Sequence, residues 1–227
     1  MFFPYDPTFI LLIPAVLLAL YAQFKVQSTF AKFSKVENSR GYTGAQVARY
    51  ILDDRRLSDV QIESIEGNLS DHYDPRSKKL RLSASVYGSR SVAALGVAAH
   101  EVGHALQDAT AYAPLKFRNS IVPVSSFGSN LAFPLFFVGI LVNSPLLMDL
   151  GIILFSLAVV FTVITLPVEF NASNRALKIL AGSRYLNEKE VPMAKQVLSA
   201  AALTYVAATA MAILNLVRLL MLRSQRD

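Results

Sequence analysis

The sequence predicts a mainly α integral membrane protein, with about four transmembrane helices and an interposed α+β region that carries a small β-ribbon. Hydrophobic residues make up 53% of the 227, and charged residues only 17%, where a soluble domain carries roughly a quarter. The apolar residues gather into four segments, three of them about the 20 residues needed to cross the hydrocarbon core. A charged stretch after the first segment changes between helical and strand periodicity.

The first apolar segment runs from about Phe9 to Phe24, and Phe9 to Ala22 carries no charge. Without a basic flank or a small-residue cleavage site, it reads as an uncleaved anchor rather than a signal peptide. Lys25 to Arg40 reads as a polar helical continuation or linker. Thr43-Gly44-Ala45-Gln46 has the Thr-x-x-Gln pattern of a capping box. It predicts a helix from Gly44 to about Asp53 with Val47, Tyr50 and Ile51 on the apolar face. Asp59 to Glu66 alternates, with Val60, Ile62 and Ile65 marking a short strand. Asp71-His72-Tyr73-Asp74-Pro75 is turn chemistry. Lys79 to Ser83 sets Leu80 and Leu82 against charges, which predicts a second strand and hence the ribbon. Ser91 is an N-cap for a helix running to about Asp108.

The second apolar segment spans about Ile121 to Val142 and the third about Leu146 to Val168. Asn143-Ser144-Pro145 joins them into a helical hairpin. Pro123 and Pro134 predict kinks, and Ser125, Ser129 and Asn130 read as helix-helix contacts. The fourth segment, about Ala200 to Leu222, contains Asn215 and Arg218. The chain thus divides into an N-terminal transmembrane anchor (1–24), a cytoplasmic region with the helix that carries His100-Glu101-Val102-Gly103-His104 (25–118), a transmembrane hairpin (119–168), a cytoplasmic segment (169–199), and a C-terminal transmembrane helix with its tail (200–227).

Orientation follows from Lys and Arg. The net charge is +6, and the basic residues concentrate in Lys25 to Arg118 and Arg175 to Lys195. The first few residues and the Asn143 turn have none. The positive-inside rule therefore places both charged regions in the cytoplasm of a multi-pass cell-membrane protein. Arg223 and Arg226 dissent, because a fully spanning fourth segment leaves them outside; a partly interfacial or re-entrant segment is the alternative. Aromatic residues are not interleaved with basic ones, which argues against a nucleic-acid partner. Cysteine is absent, so there is no disulfide framework and a metal site must use N and O ligands.

The chemistry lies in His100-Glu101-Val102-Gly103-His104, an H-E-x-x-H string that uses two of the three histidines. On a helix, histidines four apart share a face, so both imidazoles reach one metal ion. Glu101 then lies beside the open metal position, where it can take a proton from water. Helix formers flank the motif, from Ala93 to Ala99 and at Ala105-Leu106. The alternative is a pair of structural histidines, which is costly on an apolar helix unless they are paired or metal-bound. A catalytic zinc site needs a third protein ligand. Glu169 is the strongest carboxylate, since it follows the third apolar segment where acidic residues tend to be functional. Glu188 or Glu190 remain alternatives, and His72 is either a site residue or a polar turn residue.

The stretches Asp71-His72-Tyr73-Asp74-Pro75, Ser91-Val92-Ala93-Ala94, Ala98-Ala99-His100-Glu101-Val102-Gly103-His104-Ala105-Leu106-Gln107 and Leu166-Pro167-Val168-Glu169-Phe170 resemble the YugP family of membrane zinc metallopeptidases. Ala172-Ser173 and Ala201-Leu203-Thr204-Tyr205 match too, and the resemblance covers nearly the whole chain. More distantly the chain is similar to HtpX-type and CaaX-prenyl proteases, gluzincins with an H-E-x-x-H helix and a downstream E-x-x-x-D. The resemblance implies a zincin-like catalytic region with one Zn2+ per chain, held by His100, His104 and Glu169, and Glu101 as general base. Ser173 replaces the Asp of the distant relatives, which leaves a weaker partner for a zinc-binding histidine.

The expected reaction is hydrolysis of peptide bonds in membrane or membrane-associated proteins. Glu101 passes the water proton to the leaving amine, and His72, Tyr73 or Arg175 adds a donor to the oxyanion. The partners are a protein or peptide substrate and the lipid bilayer, with a homo-oligomer or a membrane regulatory partner left open. A catalytically silent metal-binding scaffold or adaptor is the competing reading. A small transporter is disfavoured, because there is no inverted repeat and there are few ionisable groups within the spans.

Overall fold

The computed structural model describes residues 7–226; the first six residues of the expected anchor and the last residue of the tail lie outside the described residues. A 3-10 stretch, Pro7–Leu12, leads into α1 (Ile13–Phe33). There follow α2 (Gly44–Asp54), β1 (Gln61–Ile65), β2 (His72–Asp74), β3 (Lys79–Ser83), the short α3 (Ala84–Tyr87), α4 (Val92–Ala109), α5 (Ala113–Leu141), α6 (Pro145–Gly182) and α7 (Val191–Ser224). Four of these helices are long and apolar enough to cross a membrane: Pro7–Phe33, α5, α6 and α7. Large side chains such as Leu17, Phe24 and Leu141 stand well over half exposed. Such apolar surface on a helix needs lipid as its solvent. The chain is a mainly α membrane protein with a small sheet.

Two compact units emerge. One takes the chain up to Gln23, Lys116–Pro167 and everything from Thr204 on. Its core is Ala132, Phe136, Met148, Ile152, Phe155 and Leu219, with partly buried neighbours. In the α5–α6 hairpin the backbones approach so closely that a Cβ on Gly151 would lie 2.7 Å from the Ala132 carbonyl oxygen. Small residues at such crossings are how membrane helices gain packing without a hydrophobic driving force. The hairpin turns at Asn143 (φ 53°), and Pro145 opens α6 where a missing N–H costs nothing. α5 runs unbroken through Pro123 and Pro134. α7 is likewise one continuous helix of 34 residues, about 51 Å long. Near its end Arg223 Nε meets Asp149 Oδ1 at 2.8 Å, and Arg226 Nη1 donates to the Ile140 carbonyl at 3.2 Å. Arg218 is buried, donates to Thr8 Oγ1 at 3.1 Å and stacks over the Phe9 ring.

The other unit comprises Phe24–Leu115 and Val168–Leu203. Its core includes Val47, Ile51, Leu80, Leu82, Leu95, Val102 and Leu180. The capping box forms as read: Thr43 Oγ1 accepts from Gln46 N–H, and the Gln46 side chain accepts from Thr43 N–H. Tyr50, expected on the apolar face of α2, is 44% exposed and stacks against Tyr185.

The expected ribbon is a three-stranded mixed sheet in the order β1-β3-β2. β3 pairs parallel with β1 and antiparallel with β2. Leu80 and Leu82 enter the core, while Lys79 and Arg81 face Glu63 across the β1–β3 pair. His72 to Asp74, read as a turn, is a strand because it pairs with Lys79 to Arg81. The turn falls one step later. Asp74 accepts from Arg76 N–H and Ser77 Oγ there, an Asx-type arrangement.

Candidate metal centre

The centre is built by α4 and α6. Ser91 caps α4 by accepting from Ala94 N–H at 3.1 Å. The helix then carries His100 and His104 on one face, their ring centroids 4.8 Å apart. Glu169 comes from α6, and Gly103 is what lets that helix reach it. A Cβ at position 103 would stand 2.7 Å from the Ala172 carbonyl oxygen and 3.1 Å from its Cα. No side chain fits between the two backbones there. Within the H-E-x-x-H motif, the residue just before the second histidine is therefore set by helix packing.

At this crossing, His100 Nε2 lies 3.3 Å and His104 Nε2 3.6 Å from Glu169 Oε2. Among the described residues this is the one cluster of three or more metal-ligating side chains, with ligand atoms within 4.8 Å of one another. Two ligands bound at about 2.0–2.1 Å to a tetrahedral ion stand about 3.3 Å apart, so the spacing suits a small cation. The opposite ring nitrogens are occupied. His100 Nδ1 meets Ser173 Oγ at 3.0 Å, and His104 Nδ1 meets Gln107 Oε1 at 3.0 Å. That leaves both Nε2 atoms turned to the carboxylate. Burial opposes a charge on His104, yet the hydrogen bond to Glu169 and the nearby Glu101 charge hold its pKa above the ordinary imidazole value. A positive charge is thus favoured at this point. Two imidazole nitrogens and a buried carboxylate, with no thiolate, form a donor set suited to zinc.

Over residues 8–224 the chain matches the family described as "Putative neutral zinc metallopeptidase". The chain belongs to this family. It is 51% identical over 212 residues to a protein of Bacillus subtilis (strain 168) described as "Putative membrane protease YugP", covering 93% of this chain and 94% of that one. No solved structure matches. The family name implies zinc, and the His100, His104 and Glu169 cluster is where this chain could hold it.

The remaining site candidates sit as follows. Glu101 is buried on α4, in the chain between His100 and His104. Ser173, where the distant gluzincin pattern has Asp, is buried and in hydrogen-bond contact with His100. Arg175 donates from Nε to Asn171 Oδ1 at 2.8 Å and lies over the Tyr112 ring. His72 is on the edge strand β2, its Nδ1 2.9 Å from the Ser70 carbonyl and its Nε2 3.3 Å from Arg81 Nη1; neither contact reaches the cluster. Tyr73 donates to Asp108 Oδ2 on α4 at 3.1 Å. Glu190 is engaged elsewhere, accepting from Ser39 N–H at 2.7 Å and Asn187 N–H at 2.8 Å. The exposed Glu188 lies beside it on the same connection. Sequence reasoning passed over Gln107 and Asn171. Gln107 is fully buried and donates from Nε2 to the Val168 carbonyl at 2.8 Å and to Asn171 Oδ1 at 3.1 Å. A polar side chain three residues past the second histidine was the available signal.

Proposed function

We propose that this chain is an integral membrane zinc endopeptidase of the gluzincin type, hydrolysing peptide bonds in membrane or membrane-associated proteins. One observation carries the reading: His100 Nε2 and His104 Nε2 converge on Glu169 Oε2 while both Nδ1 atoms are held by other groups. His100, His104 and Glu169 would hold one zinc ion. Bound zinc supplies Lewis acidity, which polarises a peptide carbonyl and makes a water molecule a nucleophile near neutral pH.

The protein's own groups do the rest. Glu101 accepts the proton that the water loses as it attacks, and delivers it to the departing amine nitrogen. Its burial keeps bulk water from competing for that proton. Ser173 and Gln107 hold the imidazole rings in orientation, so that both Nε2 atoms face Glu169.

The lysine- and arginine-rich regions 25–118 and 169–199 are assigned to the cytoplasmic face. Glu169 directly follows the third apolar segment in the chain, and so belongs with the basic region that the same rule places on that face. The dissenting charge of Arg223 is partly offset by Asp149.

The test compares membranes carrying wild-type chain with membranes carrying Glu101→Gln, by quantitative proteomics and by zinc content. Retained zinc with accumulation of uncleaved membrane proteins supports the reading. Identical proteomes would leave a metal-binding scaffold instead, and an active Glu101→Gln enzyme would overturn the role given to Glu101.

A further inference from the structure

The two histidines are not held alike. Ser173 Oγ, beside His100 Nδ1, can accept or donate and so leaves the ring tautomer open. Gln107 Oε1, beside His104 Nδ1, can only accept. Whether that oxygen faces the ring depends on which way the amide points, and its other contacts decide this. Gln107 Nε2 lies 2.8 Å from the Val168 carbonyl, an acceptor with no proton to give. It also lies 3.1 Å from Asn171 Oδ1. The Asn171 oxygen is itself fixed, because Arg175 Nε, 2.8 Å away, is always a donor. Arg175 is steadied by the Tyr112 ring, 5.9 Å from the guanidinium carbon. Turning Gln107 over would set its oxygen against the Val168 and Asn171 oxygens, and turning Asn171 over would set its NH2 against the Gln107 and Arg175 donors, which leaves those groups unsatisfied.

We propose that Gln107 is a positioning residue for His104, and that Asn171 and Arg175 set its orientation. The direction of every hydrogen bond follows from the arginine. Arg175 donates to Asn171, Asn171 accepts from Gln107, and Gln107 accepts from His104 Nδ1–H. The Nδ1 proton of His104 is thereby held toward Gln107, and Nε2 is the nitrogen left facing Glu169 for a metal to take. A ligand fixed in advance binds tighter than one that must choose its tautomer on binding. The relay rests on the proposed zinc site, and adds to it the buried Gln107 and the half-buried Asn171 and Arg175, which make one histidine the more rigid ligand.

The test measures zinc affinity of the full-length, detergent-solubilised chain by competition with a chromogenic chelator. The Co2+-substituted visible spectrum is a second readout of ligand geometry. His104→Ala reports on the zinc site itself. Gln107→Met keeps the volume but removes acceptor and donors, and is expected to weaken zinc binding about 10- to 100-fold and alter the cobalt spectrum. Asn171→Asp retains an acceptor for both neighbours and is expected to bind within about threefold of wild type. Asn171→Leu falls with Gln107→Met. Should Gln107→Met fail to fold, Arg175→Met, at a half-buried position, is expected to weaken binding severalfold. Zinc affinity and cobalt spectrum unchanged in Gln107→Met or in Arg175→Met, with zinc lost in His104→Ala, would overturn the relay and leave the zinc site standing. Undiminished zinc binding in His104→Ala would overturn both.

Discussion

Gly103 and Ala172 meet backbone to backbone: a Cβ on Gly103 would stand 2.7 Å from the Ala172 carbonyl oxygen. This crossing of α4 and α6 is what holds Glu169 against the two histidines. Gly103→Ala should therefore damage stability and site together. Alanine gains about 1 kcal/mol of helix propensity over glycine, but overpacking against a backbone costs about 1–3 kcal/mol. A net loss and a melting temperature lower by a few degrees are expected, with zinc binding weakened as well. Thermal melts of the purified chain with and without zinc check this. A stabilised variant with unchanged zinc affinity would contradict the packing role.

Ser173 holds His100 through a single hydroxyl contact. Ser173→Ala removes it and should weaken zinc binding by up to about tenfold, at the low end for a lost outer partner. Ser173→Asp, which restores the charged partner of the distant gluzincins, should bind zinc at least as tightly as wild type. Chelator competition on both variants measures the order. Equal affinity in Ser173→Ala and wild type would show that the hydroxyl does not orient the ring.

Asp71 is a pH-dependent weak point. Burial pushes its carboxyl above the usual value, although Ser83 N–H and Oγ–H donate to it. Its folded pKa exceeds its unfolded one, so the folded state holds the proton more tightly. The stability this gives is full below the unfolded value near 3.8 and is lost as pH rises through the folded value. Asp71→Asn keeps an acceptor for Ser83 without the charge. Its melting temperature relative to wild type should therefore rise between pH 3.5 and pH 7. A difference that is flat or falls with pH contradicts the assignment.

Topology is testable because the chain has no cysteine. Single cysteines at Ser144, in the α5–α6 turn, and at Ser77, in the β2–β3 turn, report the two sides. In intact cells a membrane-impermeant maleimide should label Ser144→Cys and spare Ser77→Cys until the membrane is opened. Labelling in the reverse order would invert the proposed orientation.

Local signals made much of this structure legible. The Thr43 capping box, the Ser91 cap and the alternation at Leu80 and Leu82 are decided by neighbours within a few residues. The four apolar helices are legible because lipid asks only for length and composition. Strand β2 was hidden because turn-forming residues flank and overlap it, and its pairing with β3 decides the matter. Tyr50 had helical spacing on the apolar face but packs against Tyr42 and Tyr185 at the edge of the core. At the site, the H-E-x-x-H histidines follow from spacing alone. Gln107 and Asn171 do not, because their partnership exists only where α4 crosses α6.

The proposal that His100, His104 and Glu169 hold zinc is tested most directly by the zinc content of Glu169→Ala. The full-length protein would be purified in detergent beside wild type and Glu101→Gln, each checked for an unchanged helical spectrum. About one zinc per chain is expected in wild type and in Glu101→Gln, with most of it lost from Glu169→Ala. Full zinc in Glu169→Ala would contradict the proposed third ligand, and with it the site.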